Sequence, residues 1–370
     1  MSLFNMSNFT VLDDNLVEVL DAEFDSYVLN PWTWLDPDGG PPSYVFILPI
    51  VAFVSLIFNV IIITVFVKEK LMSSANIIMI GIAISDTLTV LSPTPLLIYL
   101  YSCGINHVVP FNLCVSWEYL MKNVCSVTHT ASVWLTMYLG INRYLAVCHP
   151  FVMRRRCTTR TTVETIVFIY ALSVAFHLCR FIDTKYVPEY TRNNSTVTCS
   201  AKHADWLKNY ARIYEYVYHW CHIICISIIP CITLVVLDTI MLRHIRQSEI
   251  RRSVYIPKNH QSVGKSRQKE SIRTTKTIVI ILMIVCLLEL SVGTLLILWT
   301  LCMMNIIFIP ETSLSFASNI VHFCIYISYP FIFLLYCRLS TKFRYGMRHF
   351  FRLDNLSRKN TFHANLTKNT

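Results

Sequence analysis

Asn76-Ile-Ile-Met-Ile-Gly-Ile-Ala-Ile-Ser-Asp86 sets one aspartate inside an apolar run that continues to residue 101. An α-helix needs about 20 mostly apolar residues to cross a bilayer. A charge at that depth is costly and by default marks a functional interior. Working outward, six further runs of the same kind occupy 44–67, 115–147, 163–181, 210–242, 274–304 and 314–336, which makes seven. Their interiors contain Pro and Gly, which spanning helices tolerate better than soluble ones. The composition agrees: 54% of residues are hydrophobic and 15% charged, against roughly 25% charged in soluble proteins. Lipid is the expected solvent, and the connections are too short for a second domain.

Lys and Arg give the expected orientation. No basic residue precedes Lys68, whereas residues 1–43 carry Asp13, Asp14, Glu18, Asp21, Glu23, Asp25, Asp36 and Asp38. That tail is placed outside the plasma membrane. Alternating from there, 24 of the 32 basic residues fall on inner segments and four on the outer loop 182–209. The net charge of +10 is therefore a topology signal and gives no reason to expect a nucleic-acid partner. The expected organisation is an acidic outer tail over 1–43, a bundle over 44–338, an amphipathic helix over 339–352 and an inner tail over 353–370. The chain's start lacks a basic segment followed by a continuous apolar core, so the first span is expected to act as the insertion signal. Asn5, Asn8, Asn193 and Asn194 head glycosylation sequons on outer segments. Most of the 14 cysteines lie inside spans as small hydrophobes. Cys103, Cys114 and Cys199 face the oxidising side; Cys114 with Cys199 is the expected disulfide, with Cys103 as the alternative partner.

The polar residues within the spans carry the functional signal. Asn59 lies in the first span and Asp86 in the second. Arg143 closes the third in Asn142-Arg-Tyr-Leu-Ala-Val-Cys-His-Pro150, Pro230 is expected to break the fifth, and Tyr329-Pro330 lies towards the inner end of the seventh. Beyond it, Phe343, Met347, Phe350 and Phe351 share one helical face among basic residues, the pattern of a helix lying on the inner leaflet.

Taken together and in this order, these residues make the chain resemble a rhodopsin-like, G-protein-coupled receptor from about residue 44 to 352. The fold this implies is an all-α seven-transmembrane bundle with a short eighth helix. By the same resemblance Arg143, with Asn142 and Tyr144, is the switch that meets a heterotrimeric G protein. Asn59, Asp86, Tyr329 and Pro330 form the interior polar network. Longer strings narrow the likeness: His129-Thr-Ala-Ser-Val-Trp-Leu-Thr136, Leu71-Met-Ser-Ser-Ala-Asn76, His177-Leu-Cys-Arg-Phe-Ile-Asp183 and Ser328-Tyr-Pro-Phe-Ile-Phe-Leu-Leu-Tyr-Cys337. They are similar to invertebrate, nematode-type receptors of the myosuppressin, sex-peptide and FMRFamide group and to nematode class W serpentine receptors. That likeness implies a neuropeptide ligand, Gi/o coupling, and arrestin and receptor-kinase partners; Ser253, Ser357 and Thr361 are phosphorylation candidates.

The chain also departs from the superfamily. Asn142 stands where an acid is usual, the fourth span lacks its Trp, and Cys286-Leu-Leu-Glu-Leu-Ser291 replaces an element containing Pro. A sixth helix without Pro keeps its backbone ladder and kinks less, so its outward swing is expected either to use Gly293 or to be smaller. Two ligand classes are excluded within the resemblance. Cys125 occupies the position where amine receptors carry Asp, and 314–336 contains no Lys to hold retinal.

The candidate ligand carboxylates are Glu118, Glu215 and Glu289, with Trp117 and Trp299 among the aromatics around them. An amidated peptide ending in Arg-Phe would present a guanidinium, for which a planar carboxylate is the natural partner. Glu118 and Glu289 are the two residues expected to receive it. The acidic tail would enrich such a cation locally. The alternative reading on the same fold is a chemosensory receptor for an environmental ligand. No metal-ligand spacing, phosphate loop or nucleophile elbow is present, so neither an enzyme nor a cofactor is expected. Paired repeats and a charged ring, the marks of transporters and channels, are also missing.

Overall fold

The computed structural model describes residues 43–102, 111–190, 197–255, 263–339 and 341–350. In lipid every backbone N–H and C=O must be satisfied within the chain, and the spans accordingly fold as helices. The first is α1 (Ser43–Lys68). The second is α2 (Ser74–Leu91) continued by α3 (Thr94–Ser102), the two parted at Ser92-Pro93. The third begins with α4 (Cys114–Trp117), passes through a π-helical segment Glu118–Asn123, and becomes α5 (Val124–Cys148). A short α6 (Pro150–Arg156) leads to the fourth, α7 (Thr159–His177), which ends in a 3₁₀ turn Leu178–Phe181. An antiparallel hairpin follows, β1 (Thr184–Tyr190) and β2 (Val197–His203), with Thr184 opposite His203 and Tyr190 opposite Val197. The fifth span is α8 (Ala211–His222), a second π-helical segment Ile223–Ile228, and α9 (Ile229–Tyr255). The sixth and seventh are α10 (Val263–Met303) and α11 (Glu311–Leu339), and α12 (Thr341–Phe350) closes the fold.

Among the described residues, five helices are long and apolar enough to cross a membrane: those of spans one, two, four, five and six. Span three differs for a physical reason. Helix α5 packs on α2, α7 and α9, and its Thr128, Thr130, Ser132, Thr136 and Asn142 are buried against them. A helix surrounded by helices need not be apolar all round.

Local sequence sets the turn at the Arg143 end. Ser73 Oγ accepts from the backbone N–H of Asn76 and so caps α2, while Asn76 Nδ2 donates to the Leu71 carbonyl at 2.7 Å. The distinctive string 71–76 is thus a capping turn. Thr158 caps α7 in the same way.

One expectation needs correcting. Pro230 does not break the fifth span: the helix is continuous, and the wide turn Ile223–Ile228 ahead of it absorbs the proline. The apolar face of α12 packs on the end of the first span. Phe343 is buried with its ring edge against Phe66, centroids 5.5 Å apart, and Met347 and Phe350 pack on the same cluster. His349 bonds Glu69 at 2.9 Å, so α12 docks on the end of α1. Phe351 lies outside the described residues, as do residues 1–42 with Asn5 and Asn8, Asn193 and Asn194, Cys103 and the tail from 351.

Candidate functional site

Three polar assemblies lie along the bundle axis. Around the middle, Ser132 donates to Asp86 Oδ1 at 2.5 Å, and Asn59 Nδ2 donates to Thr87 Oγ1 at 2.9 Å. Asn59, Asp86, Thr136 and Tyr329 share the lining of one cavity of about 40 Å³ with Met79, Leu282 and other apolar side chains. The expected interior network is therefore brought together around a space large enough for water, into which Tyr329 contributes a buried hydroxyl with no hydrogen-bond partner. Pro330 follows Tyr329 within the unbroken α11.

Above this network His129 Nε2 stands 3.5 Å from Glu289 Oε1. Glu289 is 4% exposed, and its second oxygen, Oε2, has no partner. Sequence reading singled out Glu289 and the string beginning at His129 separately. Their pairing, 160 residues apart in the chain, had no local signal.

At the hairpin end Arg180 organises the second assembly. Its guanidinium takes both oxygens of Glu215, at 2.7 and 2.8 Å, and Asp183 Oδ2 at 2.9 Å. The Tyr218 ring lies 4.1 Å below it and Tyr214 at 5.8 Å. Tyr214 also donates to Asp183 at 3.0 Å. A bidentate guanidinium–carboxylate pair flanked by aromatic faces is the geometry Arg alone supplies. It fixes the end of span four and the root of the hairpin to span five, and the Ala204 N–H closes the hairpin on the Asp183 carbonyl at 2.7 Å. Beneath it His177 bridges Thr130 and Tyr218, each at 2.8 Å. The expectation that Glu215 faces a ligand is thus answered by an internal partner. Glu118 carries one too, Lys122 at 3.1 Å, and it also touches the hairpin: burial and the neighbouring Glu118 carboxylate hold the Tyr186 phenol above its ordinary range. Trp117 is 6% exposed and belongs to the apolar cluster with Leu48, Leu97, Ile325 and Tyr329. Trp299 is partly buried on α10. Cys114 is disulfide-bonded, and the side chain of Cys199 lies outside the described residues.

The third assembly is at the Arg143 end. Asn142 does not take the place of an acid beside Arg143; its Nδ2 donates to Ser74 Oγ at 2.8 Å, and Ser74 shares a 2.7 Å hydrogen bond with Thr162. One amide thereby ties α5 to α2 and α7. Tyr144 shares a 3.2 Å hydrogen bond with His149. Trp134, on α5, donates its indole N–H to the Cys225 carbonyl at 3.1 Å. That carbonyl lies in the π-helical segment of span five, where a wide turn leaves backbone acceptors open.

A clamp at the hairpin end, a small cavity beside a buried acid and a polar cluster at the Arg143 end are thus strung along a bundle of seven helices. Residues 58–341 match the family model of the 7 transmembrane receptor (rhodopsin family), so the chain belongs to that family. It is a signalling receptor and not an enzyme. Among curated relatives it is similar to the sex peptide receptor of Drosophila melanogaster, with 27% identity over 84% of this chain and 72% of the relative. It is similar to the sex peptide receptor-related protein 2 of Caenorhabditis elegans, with 26% identity over 80% and 69%. The FMRFamide receptor of Drosophila melanogaster is 25% identical over 60% of this chain and 40% of its own length.

Proposed function

We propose that this receptor binds an amidated neuropeptide of the FMRFamide-like or myosuppressin-like kind and signals through a heterotrimeric G protein of the Gi/o type. The observation that carries the reading is the likeness, over four fifths of the chain or more, to two receptors named for a sex peptide. The carboxylates of the site support a cationic ligand. Of the three candidates, Glu215 is held by Arg180 and Glu118 by Lys122, whereas Glu289 keeps one buried oxygen open. Glu289 is therefore the preferred acceptor for a ligand guanidinium or N–H group.

In this reading the acidic tail over 1–43 lies outside the plasma membrane, and a Cys114–Cys199 disulfide pins β2 over the mouth. Asn5, Asn8, Asn193 and Asn194 are available to glycans. Arg143 and Tyr144 face the G protein with Asn142 bracing the helix behind them, α12 lies along the inner leaflet, and the tail beyond 353 receives receptor kinase and arrestin. An agonist acts by stabilising a minor open state of the bundle.

The test is a panel of amidated peptides, FMRFamide and myosuppressin included, applied to cells that display the receptor, with cAMP and calcium read together. A fall in cAMP that is lost in Glu289→Gln but kept in Glu118→Gln is the expected result. Silence to the whole panel from a receptor demonstrably at the surface would overturn the peptide reading.

A further inference from the structure

Two acids and one imidazole meet inside the bundle. Glu289 on α10 is 4% exposed and Asp86 on α2 is 3% exposed. His129 on α5 reaches both: its Nε2 is 3.5 Å from Glu289 Oε1, and the Asp86 carboxylate acts on it from the other side. Asp86 takes a hydrogen bond from the neutral Ser132 hydroxyl, which leaves its charge uncompensated. Among the described residues neither acid is paired with Lys or Arg. A carboxylate withdrawn from water is stable only when it is neutralised or paired. Two such acids beside one imidazole therefore hold a proton in common.

The neighbours on the other helices tell where that proton sits. His322 on α11 faces the pair, and its Nδ1 lies 2.8 Å from the Ser318 carbonyl, to which a neutral ring donates. Tyr329, also on α11, faces both acids. His177 and His222, from spans four and five, act on His129 through space, and the charged groups acting on those two rings are other imidazoles and Arg180. His129 is the ring that stands between carboxylates, so its imidazolium form has counter-charges already in place. Its side chain is 21% exposed although it faces Glu289 across the bundle, so open space reaches the pair. Glu289 Oε2 has no partner.

We propose that His129 holds a proton between Glu289 and Asp86 in the empty receptor, and that a cationic ligand group docking on Glu289 Oε2 binds in exchange for it. The inference rests on the reading of Glu289 as the ligand acceptor, and it adds what must leave. A guanidinium at Oε2 would share one carboxylate with the imidazolium, and like charges that close disfavour each other's charged form. The guanidinium does not deprotonate in proteins, so the imidazole gives up its proton, to water. His129 is then neutral, Glu289 is paired with the ligand, and the charge of the site is unchanged. Binding that releases one proton weakens by up to about tenfold for each pH unit below the titration of His129. The site therefore takes a cationic peptide at neutral pH and lets it go on acidification.

The test uses the full-length receptor in lipid nanodiscs. Without any peptide, the nitrogen NMR spectrum of histidine-labelled receptor at about pH 7.5 should carry an imidazolium signal that is missing from His129→Gln and from Glu289→Gln. No such signal, or one untouched by both substitutions, overturns the proposal whatever the ligand proves to be. N-acetylated FMRFamide is the probe for the exchange, because its arginine is then its one ionisable group and stays charged throughout. Its affinity for the parent should rise roughly tenfold from about pH 6 to about pH 7, and His129→Gln should show no such rise. A flat profile in the parent, or an equal rise in His129→Gln, sinks the exchange and leaves the peptide reading standing. If the probe binds at no pH while the imidazolium signal is present, the peptide reading fails, and the exchange with it, but the buried proton stands.

Discussion

Arg180 sets one positive charge against Glu215 and Asp183 and rests on the Tyr218 ring. Removing it would strand two buried acids. Breaking one side of a buried ion pair costs about 3–5 kcal/mol, so Arg180→Ala should leave little receptor at the cell surface, counted by flow cytometry on intact cells. Arg180→Lys should recover only part, because an ammonium cannot engage Glu215 through two parallel bonds. At the Arg143 end, Asn142→Ala removes the amide that donates to Ser74, which is itself bonded to Thr162. A loss of about 1–2 kcal/mol, read as a lower melting temperature of the purified receptor, is expected. Sequence alone identified most of these residues but not their company. Arg180 and Asp183 were legible as part of a recurring string and Glu215 as a carboxylate near the mouth. Their contact joins positions 35 apart in the chain, and periodicity carries no information at that range.

At the level of elements, the apolar runs located the seven spans because burial in lipid dictates both helix and length. The interruptions were illegible. Neither π-helical segment has a residue signature, since each is stabilised by what packs on it, as Trp134 does on Cys225. The sixth span lacks the proline usual in the superfamily, and Gly293 takes on a packing role there: a Cβ at this position would meet Ser227 Cβ at 2.9 Å. Gly293→Ala must therefore push α10 from span five, and a destabilisation of about 1–3 kcal/mol, measured by thermal unfolding, is expected. The hairpin makes a contrasting prediction. Lys185 and Lys208 donate to Asp205 and hold its carboxyl down to about 2. A carboxylate with a depressed pKa contributes fully above the ordinary range and loses that contribution only as pH falls towards 2. Hydrogen exchange of the strands, corrected for intrinsic rate, should therefore not change between about pH 5 and 8. Asp205→Asn, at an exposed pair, should leave the melting temperature where it was.

For the molecule as a whole, topology is the claim most open to direct measurement. Seven crossings put the chain ends on opposite sides, so an N-terminal epitope should be stained on intact cells and a C-terminal one only after permeabilisation. Both ends stained alike would contradict the seven-helix reading of spans three and seven, which rest on burial and family more than on raw apolarity. The global charge pattern was fully legible in sequence, because it reports on insertion and needs no contact. The packing of α5, α9 and α10 was not legible, since it depends on three helices meeting at Gly140.

The wide turn at Glu118–Asn123 also limits how pharmacology can be transferred between relatives. Counting back from Arg143 along α5 stays on an uninterrupted helical ladder as far as Val124. Beyond that point one turn of the backbone holds more residues than an α-helix allows. Equal spacing then no longer means equal direction. A contact map carried over residue by residue from a third helix that is α-helical throughout would name the wrong side at Glu118 and Trp117.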